Sequence, residues 1–89
     1  MTALPDHVER YAESRRFTET TTPPNFQKSH TTRPGVWGKL IVVSGALGFA
    51  WDDQAPLDLA AGATMVIPPE APHKVVLGGP VEFYVEFYR

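Results

Sequence analysis

The sequence predicts an all-β fold, a small barrel or sandwich of short strands. Three observations carry that expectation. From Asn25 onward, Pro and Gly interrupt the chain every several residues. The runs between the interruptions are short and rich in β-branched and aromatic residues. The final run, VEFYVEFYR, alternates apolar Val81, Phe83, Val85 and Phe87 with Glu82, Tyr84, Glu86 and Tyr88, the period of a half-buried strand.

Residues 1–22 form a polar N-terminal arm and residues 23–89 the barrel, within one domain, the count that 89 residues support. In the arm, Asp6 and Glu9 stand at capping-box spacing after Pro5, which predicts one turn of helix that soon fades. Phe17–Thr22 reads as a short strand or extended segment because Thr favours strands. VVSGALGF reads as a hairpin with a tight turn at Ser44-Gly45, where Gly takes positive φ without steric cost. PLDLA, TMVIP and HKVVL read as further strands, and the last run should be stitched into the sheet.

Hydrophobic residues make up 43% and charged residues 20% of the chain, the balance of a globular protein rather than a disordered one. A net charge of −2 with no basic run argues against nucleic acid and anionic membranes as partners. No stretch approaches the ~20 apolar residues that span a bilayer. The absence of cysteine excludes thiolate metal sites and cysteine nucleophiles, and together with an N-terminus unlike a signal peptide it predicts a cytoplasmic protein.

Three histidines are the candidates for chemistry. His7 lies in the polar arm and reads as surface. His30 precedes the Pro34-Gly35 break, and His73 opens HKVVL. Strands lie about 4.8 Å apart, so two strand-borne imidazoles distant in sequence can meet inside a barrel. Imidazole is the commonest ligand for zinc, iron and nickel, and a carboxylate is a natural third partner. No nucleophile–base pair is legible, so catalytic residues stay unassigned.

Gly62-Ala-Thr-Met-Val-Ile-Pro68-Pro-Glu70-Ala-Pro-His73 resembles the second cupin motif: Gly, five residues, Pro, one residue, Gly, two residues, His. Glu70 replaces the second Gly. GKLIVVSGALGF resembles the end of the first motif, but Gly38 occupies the place of the usual Glu ligand, and His30 alone lies near the usual His-x-His pair, slightly early. With the stretch from His30 to Leu40 and the terminal VEFYVEFYR, these segments resemble the TehB/YeaR-like cupin family associated with tellurite resistance.

The resemblance implies a cupin-type double-stranded β-helix, or jelly-roll barrel, and a metal-ligand role for His73. Some members carry a fused methyltransferase domain; this chain has no G-x-G-x-x-G loop, so that chemistry does not transfer. The resulting metal set is His30, His73 and Glu86, holding a divalent Zn, Fe or Ni ion with a small molecule or oxyanion as partner. Each residue has an alternative. His73 is a ligand or a barrel-mouth histidine bonded to a backbone carbonyl, and His30 a ligand or a surface turn residue. Glu86 is a third ligand or faces outward under the N-terminal arm or a second subunit. The competing reading of the whole chain is a metal-free binding or dimerisation domain. The edges of so short a barrel predict a homodimer.

Overall fold

The computed structural model describes residues 3–89; the first two residues of the arm lie outside it. Seven strands and one 3-10 turn follow in order: β1 Arg10–Glu13, β2 Phe17–Thr18, the turn Pro24–Gln27, β3 Trp37–Trp51, β4 Leu57–Ala60, β5 Thr64–Ile67, β6 His73–Val76 and β7 Val81–Tyr88. All strand pairings are antiparallel. No helix among the described residues is long and apolar enough to cross a membrane.

The predicted hairpin at Ser44-Gly45 is not formed. VWGKLIVVS and ALGFAW join into one 15-residue strand, β3, that serves two sheets. Its first half lies between β5 and β7, and its second half between β4 and β6. The ladder with β7 steps from Val42↔Phe83 to Ser44↔Glu82, leaving Val43 as an extra residue. Side chains alternate with period 2, so one inserted residue exchanges the two faces of everything beyond it. Gly38, Leu40 and Val42 accordingly face inward before the bulge, and Leu47 and Phe49 after it. Gly45 does take positive φ, at 70°, but in a bend of a continuous strand rather than in a turn between two. A Cβ there would run into the Pro80 carbonyl, so the bend also lets β3 pass close to the start of β7.

Between the two sheets lies one core. Phe49, Phe83, Leu40 and Val42 are its largest fully buried side chains, and burial of each such side chain contributes roughly 1.5–3 kcal/mol. The alternation read in the last run holds: Val81, Phe83 and Val85 are buried and Phe87 is half-buried against them.

The helical turn expected after Pro5 is replaced by a turn in which the Val8 N–H donates to the Pro5 carbonyl at 3.3 Å, followed by strand β1. An isolated helix of one turn has almost no hydrogen bonds to offset its ordering, whereas β7 offers a free edge. The arm takes that edge. Arg10, Ala12 and Glu13 pair with β7, Tyr11 being the extra residue of a bulge, and Phe17 and Thr18 pair with Phe83 and Glu82. Glu19 seals the junction by accepting the Val81 N–H at 3.0 Å, which lowers the pKa of its carboxylate.

Two substitutions test the turn chemistry through urea-denaturation midpoints. Gly45→Ala should destabilise the fold by roughly 2–4 kcal/mol, combining a left-handed backbone with the clash at Pro80. Glu70 has φ 60° in the turn closed by the Ala71 N–H on the Pro68 carbonyl. Glu70→Gly, which restores the motif residue, should stabilise the fold by up to about 1 kcal/mol.

Candidate functional site

His30 and His73 meet. Their backbones form an isolated antiparallel bridge in which each N–H donates to the other's carbonyl at 3.0 Å. Residues paired in this way project their side chains to the same face, and the two ring centroids lie 4.2 Å apart. On its other side His73 is opposite Trp51 of β3, so one row crosses the sheet from His30 through His73 to Trp51.

Aromatic faces hold both rings. Phe26, from the 3-10 turn, stacks on His30 at 5.5 Å and 17°, and Phe49 stacks on His73 at 5.5 Å and 15°. Each Nδ1 lies in hydrogen-bond range of the carbonyl two residues earlier, His30 on Lys28 at 2.8 Å and His73 on Ala71 at 2.7 Å. A carbonyl only accepts, so both Nδ1 atoms carry the proton in these bonds. In the neutral rings, each Nε2 is then left with a lone pair. His73 is 3% exposed, and among the described residues its Nε2 has no partner and no buried side-chain nitrogen is left unsatisfied. That nitrogen therefore opens onto the adjoining cavity.

The cavity measures about 380 Å³. His30, His73, Thr31, Thr32 and Arg33 supply its polar wall; Tyr11, Phe26, Val36, Leu40, Ile67, Val75, Val85 and Phe87 supply the rest. Burial lowers the His73 pKa, with neighbouring His30 acting in the same direction; the Ala71 carbonyl and Asp52 act against it. His73 is thus neutral at physiological pH, the form that presents a lone pair.

Glu86 does not join the pair. It alternates with Val85 and Phe87, which line the cavity, so its carboxylate projects from the opposite face of β7. There Arg10 donates to one oxygen at 2.9 Å and the Tyr88 hydroxyl to the other at 2.9 Å. The arm covers it, as one of the two sequence alternatives had it. Burial and the Glu86 carboxylate in turn raise the Tyr88 pKa. No group of three His, Asp or Glu side chains among the described residues converges to hold a metal ion. His7 is exposed.

Sequence reasoning missed Arg33, Thr31, Phe26 and Tyr11 as cavity residues. A signal existed for the first. Arg33 stands three residues after His30 and begins a turn in which the Val36 N–H donates to its carbonyl at 3.0 Å. Pro34 and Gly35, with φ 77° at Gly35, fill the second and third positions of a type II pattern. That turn fixes Arg33 at the cavity beside the histidine bridge.

The TehB-like domain model matches residues 13–85 of the sequence. The chain belongs to the TehB-like family. A crystal structure of a protein from E. coli strain K12 aligns with a TM-score of 0.86 at 23% identity, covering 100% of this chain and 88% of the other. TehB from Haemophilus influenzae aligns with a TM-score of 0.84 at 29% identity over 93% of this chain. The TehB-like chain spans only 32% of that protein. An RmlC-like cupin from Desulfovibrio desulfuricans, at 22% identity and a TM-score of 0.64 over 90% of this chain and 78% of its own, places the fold among the cupins. No protein of curated function matches the sequence.

Because His73 is harder to protonate folded than unfolded, stability should be complete above the ordinary histidine pKa of about 6.5 and should fall as pH drops from there through the lower folded value. Urea midpoints measured between about pH 8 and pH 5 should show this slope, and His73→Gln should flatten it. An equal slope in the variant would assign the effect to other groups.

Proposed function

We propose that this TehB-like cupin is a binding protein whose cavity takes a small molecule against the His30–His73 pair, and that these two residues would hold a divalent cation. One observation carries the reading: both imidazoles are fixed through Nδ1 to backbone carbonyls with their ring centroids 4.2 Å apart, so that Nε2 is the nitrogen each ring can offer to a ligand. Metal-ligating histidines are commonly oriented by this outer-shell arrangement. Two imidazole donors suit Zn, Fe or Ni. They are fewer than the three protein ligands typical of catalytic zinc and the four of structural zinc. The donor set therefore fits an open, exchangeable site in which water or the bound molecule supplies the remaining donors. A cation held there would supply Lewis acidity toward an oxygen of the ligand. The protein's own part is to hold two oriented imidazoles, exclude water from the apolar wall and shape the space beside them.

The competing reading, a metal-free binding domain, is favoured by one specific observation: Glu86, the one acidic candidate for a third ligand on the last strand, is committed to Arg10 and Tyr88. Both readings place the ligand in the same cavity. A role in oxyanion stress is supported by kinship with TehB alone.

Calorimetric titration with Zn²⁺, Ni²⁺ and anaerobic Fe²⁺ separates the two readings. The unmutated protein should bind at least one of these ions with one site per chain. His30→Ala and His73→Ala should each weaken that binding at least about tenfold, and Glu86→Gln should leave it unchanged. His30 is the half-buried member, so its variant probes the pair with less risk to the core. Absence of binding by the unmutated protein would remove the cation and leave the metal-free reading.

A further inference from the structure

The cavity also says what kind of molecule it accepts. We infer that its ligand is a small organic anion with an apolar body, a carboxylate facing Arg33 and a hydrocarbon part against Phe26, Val36 and Phe87. This rests on the reading of the cavity as a binding site and not on the cation.

Charge decides one end. Among the described residues, Arg33 is the only permanently charged one that lines the cavity, and no Asp or Glu lines it. Arg33 is exposed, and among the described residues it forms no ion pair, the paired arginines being Arg10 and Arg16. Its backbone is held by the Pro34-Gly35 turn, so a guanidinium is stationed at the cavity without a partner of opposite charge. Guanidinium presents a planar fork of donors that matches a carboxylate in two parallel hydrogen bonds. Thr31 adds a polar residue to the same wall.

Apolarity decides the other end. Eight of the thirteen lining residues are aliphatic or aromatic, so most of any occupant's surface would meet hydrocarbon. An inorganic oxyanion, polar on every side, would lose hydration there without replacement. A molecule with one charged end and an apolar remainder loses little and gains burial. The volume of about 380 Å³ lies within the ordinary range for small-molecule sites.

The test uses three probes that separate charge from body: benzoate, its neutral counterpart benzamide, and acetate. Each is titrated in the presence of a chelator and followed through the backbone amide resonances of Val75 and Val85. Benzoate should produce saturable shifts, and benzamide and acetate should each bind at least about tenfold more weakly. Arg33→Gln should reduce benzoate to the level of benzamide and leave benzamide where it was. Equal binding of benzamide, equal binding of acetate, indifference of benzoate to Arg33→Gln, or no saturable shift with benzoate would each overturn the inference. Arg33→Gln keeps both histidines, so its cation titration reports on the metal separately, and failure of one reading does not imitate failure of the other.

Discussion

The insertion of one residue into β3 is the constraint on which the rest of the molecule depends. A 15-residue strand shared by two sheets must turn its other face to the core as it crosses from one to the other, and strict alternation forbids this. Val43 supplies the odd residue, and Gly45 the positive φ and the close approach to Pro80. Leu40 and Val42 can then face Val85 and Phe83 in the first sheet while Leu47 and Phe49 close over them from the second. Without the change of parity, one half of β3 would present its small and polar residues, such as Gly48, to the interior.

The site follows from the same strand. Its first half carries Leu40 to the cavity wall, and its second half bears Phe49 and Trp51, whose rings pack on His73. Trp51 sets the register of β6 and so the position of His73, whose ring lies on the face of Phe49. His30 is attached to His73 by a single bridge and steadied by Phe26, which itself packs at 5.3 Å on Phe17 from the arm's strand β2. The histidine pair thus draws on the long strand and on both edges of the barrel. This explains how two rings far apart in sequence are held by neighbours from four elements.

Much of the fold was legible because its signals are local: turn residues at fixed points and the two-residue period of VEFYVEFYR. What failed was the reading of Gly45. Positive φ at a glycine is common to a hairpin turn and to a bend within a strand, and local sequence does not tell them apart. The difference lies in Pro80, 35 positions later, which closes over the bend. The N-terminal segment was misread for a related reason, since its weak helical spacing is overridden by pairing with a distant edge. Motif spacing singled out His73 alone; the meeting of His30 with it was an expectation from the short distance between neighbouring strands, and the bridge between the two supplies it. The cavity's aromatic and cationic walls were not legible, because Tyr11, Phe26 and Arg33 reach it from strand β1, the 3-10 turn and the loop before β3, whose packing only the closed barrel defines.

The departures from the cupin motifs have a physical sense once their positions are known. Gly38, in the place where the resemblance puts a Glu ligand, does face inward; a Cβ there would lie 3.6 Å from Ile67 and 3.7 Å from Thr32, both residues of the cavity wall. Glycine at that inward position brings no donor atom. Glu86 has the reverse character, a carboxylate with suitable chemistry on the wrong face of β7. What is left is a pair of oriented imidazoles beside an apolar space with a guanidinium at its wall. On the proposal made above, such an arrangement would recognise a molecule through its body and one polar end, the carboxylate meeting Arg33 and the hydrocarbon part meeting the aromatic wall.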